Sequence, residues 1–207
     1  MDPDDLQGRL AFIRSAESLK DVLRSGFTSR GRAESTAEHT WRLCLLALVF
    51  EDRLTGLDFP KLLRMCLVHD LGEAIGGDIP ATAAGAAGKA AQERRDLTQL
   101  LAPLPPGLRT SLLALWDEYE AAAGPEARAA KALDKLETLI QHNQGANPDG
   151  FDYAFNLGYG TAYTDDGGLF RQIRDAVDRD TRARMADEPA SPAASVPGRL
   201  GSTLPGL

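Results

Sequence analysis

"LVHDLGEAIGGDIPA", residues 67–81, sets His69, Asp70, Glu73 and Asp78 within ten residues of an otherwise apolar stretch and breaks at the Gly76-Gly77 pair. The residues leading into it have helical spacing. A helix begun by Pro60 carries residues 61–74 and stops at the glycine pair, where ordering the backbone costs most. On such a helix His69 and Glu73, four apart, share a face, while Asp70 lies about 100° round. The three converge only around something held between them, and a divalent cation is the natural occupant. A hydrogen-bonded core histidine beside solvated carboxylates is the other reading of the same residues.

Outward from this stretch, apolar residues recur mainly at a spacing of 3.6, and no β-branched alternating segment appears, which predicts an all-α fold. The first helix is expected over 6–24, with Leu10, Ile13, Leu19, Val22 and Leu23 as its buried set. Ser35-Thr36-Ala37-Glu38 fits a capping box and starts a helix running from 36 to about 54. Further helices are expected over 89–101, over 108–122 after Pro106, over 126–142 and over 169–185. Residues 83–88 read as a small-residue loop and 145–168 as irregular. From Asp187 onward Pro, Ala, Ser and Gly dominate, which predicts one domain over 1–186 and a disordered tail over 187–207.

At 207 residues the chain suffices for one domain with a sizeable core. Its net charge of −7 and pI near 5.0 argue against non-specific binding to nucleic acid or anionic membrane, so a small anionic ligand would need a local basic pocket. The longest apolar run, 43–50, falls far short of the roughly 20 residues that span a bilayer. The N-terminus MDPDDLQGRL is acidic and has no apolar core. These features predict a soluble cytoplasmic protein with neither a nucleic-acid nor a membrane partner. Cys44 and Cys66 lie in apolar helical contexts without a CxxC and read as buried small hydrophobes, not as a disulfide.

Two more residues bear on residues 67–81. His39 falls in the first turn of the second helix, just after the cap. Asp134 lies in "AAKALDKLETLI", where Ala132, Leu133, Leu136, Leu139 and Ile140 mark a buried helix. A carboxylate near that face needs a partner, either a metal or a Lys/Arg side chain.

In chain order these residues read H…HD…D, as His39, His69-Asp70 and Asp134, and the pattern resembles that of the HD phosphohydrolase superfamily. "RSGFTSRGRAESTAEHTWRL", "LVHDLGEAIGGDI", "ALWDEYE" and "AKALDKLE" are similar to successive blocks of its 5'-deoxynucleotidase branch, together spanning residues 10–142. The resemblance implies an α-helical HD core, one divalent metal held by His39, His69, Asp70 and Asp134, and hydrolysis of a deoxynucleoside 5'-monophosphate by a homodimer. The mixed N/O ligand set suits Mn, Co, Fe, Zn or Mg without choosing among them. Such an ion polarises the phosphate and lowers the pKa of the attacking water. By the same resemblance Glu73 matches the carboxylate that handles that water, and Asp78 a second acid nearby. Arg24, Arg30 and Arg32 are candidates to clamp the phosphate, since guanidinium forks suit its oxygens. Arg24 and Phe27 resemble the branch's arginine and its following aromatic near the sugar; Ser25 stands where some bacterial members carry Trp, which leaves sugar preference open. His142, the third of three histidines, reads as a surface or capping residue, so a mononuclear site follows. Two alternatives remain: hydrolysis of nucleoside triphosphates or another phosphomonoester, and a non-catalytic metal-binding structural or regulatory protein. Glu73 and Asp78 speak against the second, because a structural site needs no further acids.

Overall fold

The computed structural model describes residues 1–78, 88–165 and 167–187. Helix α1 (Pro3–Ala16) opens with Asp2, whose carboxylate accepts from the Asp4 N–H, and with proline at its first position. It is shorter than the 6–24 expected. A 3₁₀ turn (Glu17–Lys20) follows, and the chain then extends into β1 (Leu23–Phe27), antiparallel to β2 (Ala33–Ser35). This hairpin is the departure from an all-helical architecture among the described residues. Its cause is tertiary: Gln141 Nε2 donates to Phe27 O at 2.5 Å, and the Ala146 N–H donates to Thr28 O at 3.0 Å. The apolar pattern of the segment is accordingly a poor guide to burial. Leu19 is buried, but Ile13 and Leu23 are 64% and 58% exposed.

Helix α2 (Thr36–Val49) starts on the expected capping box, with Ser35 Oγ accepting from the Glu38 N–H and the Glu38 carboxylate accepting from the Ser35 N–H. Helix α3 (Phe59–Val68) ends at His69, a turn follows, and α4 (Glu73–Gly76) is a single turn. The continuous helix expected over 61–74 is therefore broken within the HD stretch. Two tertiary features account for the break. The Trp116 indole N–H donates to the His69 carbonyl at 3.0 Å, replacing a helical partner. Gly72 lies so close to the next helix that a Cβ would stand 2.6 Å from Glu93 O.

Helices α5 (Lys89–Leu100), α6 (Pro106–Glu120) and α7 (Pro125–Gln144) follow, then two short helices, α8 (Tyr153–Gly158) and α9 (Thr161–Thr164), within the stretch expected to be irregular, and finally α10 (Leu169–Asp187). Of the tail expected over 187–207, Asp187 is the last residue of α10 and the rest lies outside the described residues, as does the loop expected over 83–88 except Gly88. The long α7 packs against α2, α3, α6 and α10 and is buried along most of its length. Leu43 and Ala47 of α2, Leu62, Met65 and Cys66 of α3, Leu115 of α6 and Leu133 of α7 close one core; Val68, Leu97, Leu101 and Trp116 close a second beside it. Truncating a fully buried leucine in such a core costs about 2–5 kcal/mol. Both cysteines are free, Cys66 buried and Cys44 half-buried. No helix among the described residues is long and apolar enough to cross a membrane.

Candidate active site

The capping box fixes the first turn of α2 and with it His39, which is fully buried. Its Nδ1–H donates to the Glu137 carboxylate on α7, so Nε2 turns the other way, to 3.2 Å from Asp134 Oδ1 and 3.8 Å from Asp70 Oδ2. His69 is oriented in the same manner from the end of α3: Nδ1–H donates to Cys66 O at 2.8 Å, and Nε2 lies 3.0 Å from Asp70 Oδ2 and 3.9 Å from Asp134 Oδ1. Neither Nε2 has a partner in hydrogen-bond geometry, although both are buried. Buried polar atoms are nearly always paired. Two imidazoles whose Nδ1 atoms are held by acceptors and whose Nε2 atoms converge with carboxylates on one point have the donor set and outer hydrogen bonds of a divalent-cation site.

The structure thus brings His39, His69, Asp70 and Asp134 together from α2, the α3 end and α7. The outer partners are side chains that sequence reasoning did not single out. Tyr119 of α6 donates its hydroxyl to Asp134 Oδ2 at 2.9 Å, and Lys135 Nζ reaches the same oxygen at 2.8 Å. Burial opposes ionisation of Asp134, but Lys135 and the two histidines hold it well below the usual carboxylate range. Asp70 is likewise lowered against its burial by His69 and Arg24. Burial and Arg24 disfavour charge on His39, yet Glu137 and Asp134 raise it to about 10, so a cation entering here displaces a proton.

Arg24, on β1, reaches this centre: Nη1 lies 3.3 Å from Asp70 Oδ2, Nη2 donates to Thr138 Oγ1 at 3.2 Å, and Nε lies 3.7 Å from the buried Glu34 carboxylate. Glu73 is 4% exposed and accepts from Thr36 Oγ1 at 2.9 Å. Its carboxyl is pushed up to about 9 by burial, then by the negative charge of Asp70 and Asp78. A cavity of about 320 Å³ runs outward from these groups and is lined by Arg24, Glu73 and Asp78 among others. Phe27, Arg30 and Arg32 do not line it: Arg32 forms a fork with Glu38 on the surface, and Arg30 is exposed. His142, expected on the surface, is buried and lines the cavity, its Nδ1–H donating to Asn156 Oδ1 at 2.9 Å. α8 supplies the partner that the sequence could not show.

A family profile described as HD domain matches residues 16–174. The chain belongs to the HD domain family. It is similar to the 5'-deoxynucleotidase HDDC2 of Danio rerio, 34% identical over 142 residues that cover 67% of this chain and 70% of that one. It is also similar to the 5'-deoxynucleotidase HDDC2 of Homo sapiens, 36% identical over 138 residues covering 65% and 67%. A solved structure described as a predicted metal-dependent phosphohydrolase from Magnetospirillum magnetotacticum MS-1 superposes with a TM-score of 0.78 at 25% identity, covering 90% of this chain and 97% of that one. In this HD domain the block "ALWDEYE" acquires a physical role: Trp116 terminates α3 at His69 and Tyr119 holds Asp134. Glu137, three residues after Asp134 on one face of α7, holds His39. Its signal in the sequence was an acid at helical spacing on an otherwise buried face.

Proposed function

We propose that this HD domain releases phosphate from (deoxy)nucleoside 5'-monophosphates with the help of one divalent ion held by His39, His69, Asp70 and Asp134. The observation that carries the reading is the pair of buried, unpartnered Nε2 atoms converging with two carboxylates beside an arginine and a cavity. Similarity to relatives named 5'-deoxynucleotidases supports the substrate class.

A divalent ion held by His39, His69, Asp70 and Asp134 would polarise a phosphate oxygen, lower the pKa of a nearby water and offset the negative charge around Glu73. The protein's own groups do the rest. Glu137 and the Cys66 carbonyl keep the two imidazoles aimed inward, while Tyr119 and Lys135 hold Asp134 by one oxygen and leave Oδ1 toward the histidines. Arg24 presents a guanidinium to the phosphate at the cavity floor. Glu73, once the ion's charge offsets that of Asp70 and Asp78, is a carboxylate placed to take the proton from the attacking water, and Asp78 stands at the same cavity as a further acid.

The test is a phosphate-release screen of the metal-loaded protein against nucleoside mono-, di- and triphosphates in ribose and deoxyribose forms. Inorganic phosphate from monophosphates is expected. Pyrophosphate or tripolyphosphate from longer substrates would replace the proposal with hydrolysis of those substrates.

A further inference from the structure

The cavity beside the histidines is walled mostly by charged and polar side chains, which suits a phosphate and a sugar but gives a flat apolar base little to rest on. One part of the wall differs. Phe155 and Tyr159, both on or next to α8, line the cavity with ring centroids 5.1 Å apart and planes tilted by 33°, forming a nearly continuous aromatic surface. Tyr119, the other tyrosine on the cavity, is already engaged: its hydroxyl binds Asp134, its edge meets His69 at 5.2 Å, and Lys131 Nζ sits 4.1 Å from its ring centroid. Tyr159 has Lys135 Nζ 5.1 Å from its centroid. Phe155 has no polar group and is half-buried, with no hydrogen-bonding task to explain its place on a polar wall.

The aromatic pair is also held firmly. Asp152 caps α8 through the Phe155 N–H at 3.1 Å, and His142 fixes Asn156. Arg174, only 1% exposed, donates from α10 to the carbonyls of Asn156, Leu157 and Tyr159 at 2.6–2.9 Å. A rigid aromatic surface offers a stacking partner without an ordering cost at the moment of binding.

We propose that Phe155, backed by Tyr159, is the stacking platform for the base of the nucleotide, with the phosphate placed at Arg24 and the four-residue centre. The inference rests on the monophosphate reading above and adds where the nucleoside lies. Every base has a π face, so the platform favours nucleotides over other phosphomonoesters while discriminating weakly among bases.

The experiment is equilibrium binding, by calorimetry, of two non-hydrolysable phosphonates to the metal-loaded full chain: that of deoxyadenosine, and that of 2-deoxyribose lacking the base. Parent, Phe155→Leu and Phe155→Tyr are compared. The parent should bind the base-containing phosphonate roughly five- to a hundredfold more tightly. Phe155→Leu, which keeps an apolar side chain without a flat face, should lose most of that advantage, and Phe155→Tyr should retain it. A base advantage that survives Phe155→Leu, or that is absent from the parent, overturns the platform alone. Binding of neither phosphonate removes the monophosphate reading, and the platform with it.

Discussion

Glu137 holds His39 from behind: the imidazole Nδ1–H donates to its carboxylate, while Nε2 on the opposite side of the ring faces Asp134 Oδ1 at 3.2 Å. A carboxylate in that position fixes the tautomer and strengthens the ligand nitrogen. Glu137→Gln keeps the shape and weakens the acceptor, so affinity for a divalent ion should fall about 10–100-fold. Competition titration against a chromophoric zinc chelator measures this. Equal affinities in variant and parent would show that Glu137 merely neutralises Arg42, whose Nε lies 3.5 Å from its other oxygen.

Arg24 has two duties, and its removal should show both. As a phosphate partner it contributes about 1.5–3 kcal/mol, so Arg24→Ala should raise KM by roughly ten- to a hundredfold. As the cation facing Asp70 and the buried Glu34, its loss also leaves carboxylates uncompensated, and Tm should drop. Arg32→Ala should leave KM unchanged, because its fork to Glu38 lies on the surface away from the cavity. Steady-state kinetics and thermal unfolding on the two variants separate these outcomes; a KM increase in Arg32→Ala would reverse the assignment.

What the sequence showed was what short range decides. Ser35 and Glu38 are three residues apart, and the cap they form is the one that appears; it also delivers His39. Asp134 announces itself as a carboxylate within a buried helical pattern. What the sequence hid depends on partners far along the chain. The extended conformation of 23–27 is stabilised from Gln141, the break after Val68 from Trp116 and Glu93, and the burial of His142 from Asn156 on a helix inside a Gly- and Asn-rich stretch. In each case local preference is overridden by a hydrogen bond or a close approach that no spacing rule contains.

His142 should make stability fall in mild acid. Burial lowers its pKa below the ordinary 6.5, opposed by the hydrogen bond to Asn156. The unfolded chain then takes up the proton first as pH falls. The stabilising contribution of neutral His142 is thus fully present above about 6.5 and is lost as pH falls from there through the lower folded value. Urea unfolding of the parent and of His142→Gln at pH 7.5 and 5.0 tests it. The parent should lose more stability between the two pH values than the variant. Parallel losses would mean that His142 titrates alike in folded and unfolded chains.

Glu73 gives the decisive test of chemistry as opposed to structure. It lies one turn beyond His69 and Asp70, buried, bonded to Thr36 Oγ1, and on the cavity. Glu73→Gln conserves size and can still accept from the Thr36 hydroxyl, but it cannot take a proton from water. If Glu73 is the base, kcat should fall by about 10² to 10⁴. The histidines and aspartates are untouched, so bound metal should match the parent. Tm should not fall, because the substitution removes a carboxyl that is buried near Asp70 and Asp78 and is crowded by their charge. Metal analysis, thermal unfolding and phosphate release on the same preparation decide the matter. A variant that loses its metal makes Glu73 a ligand. A variant with parental turnover transfers the proton to Asp78, the other acid on the cavity, and Asp78→Asn should then carry the loss.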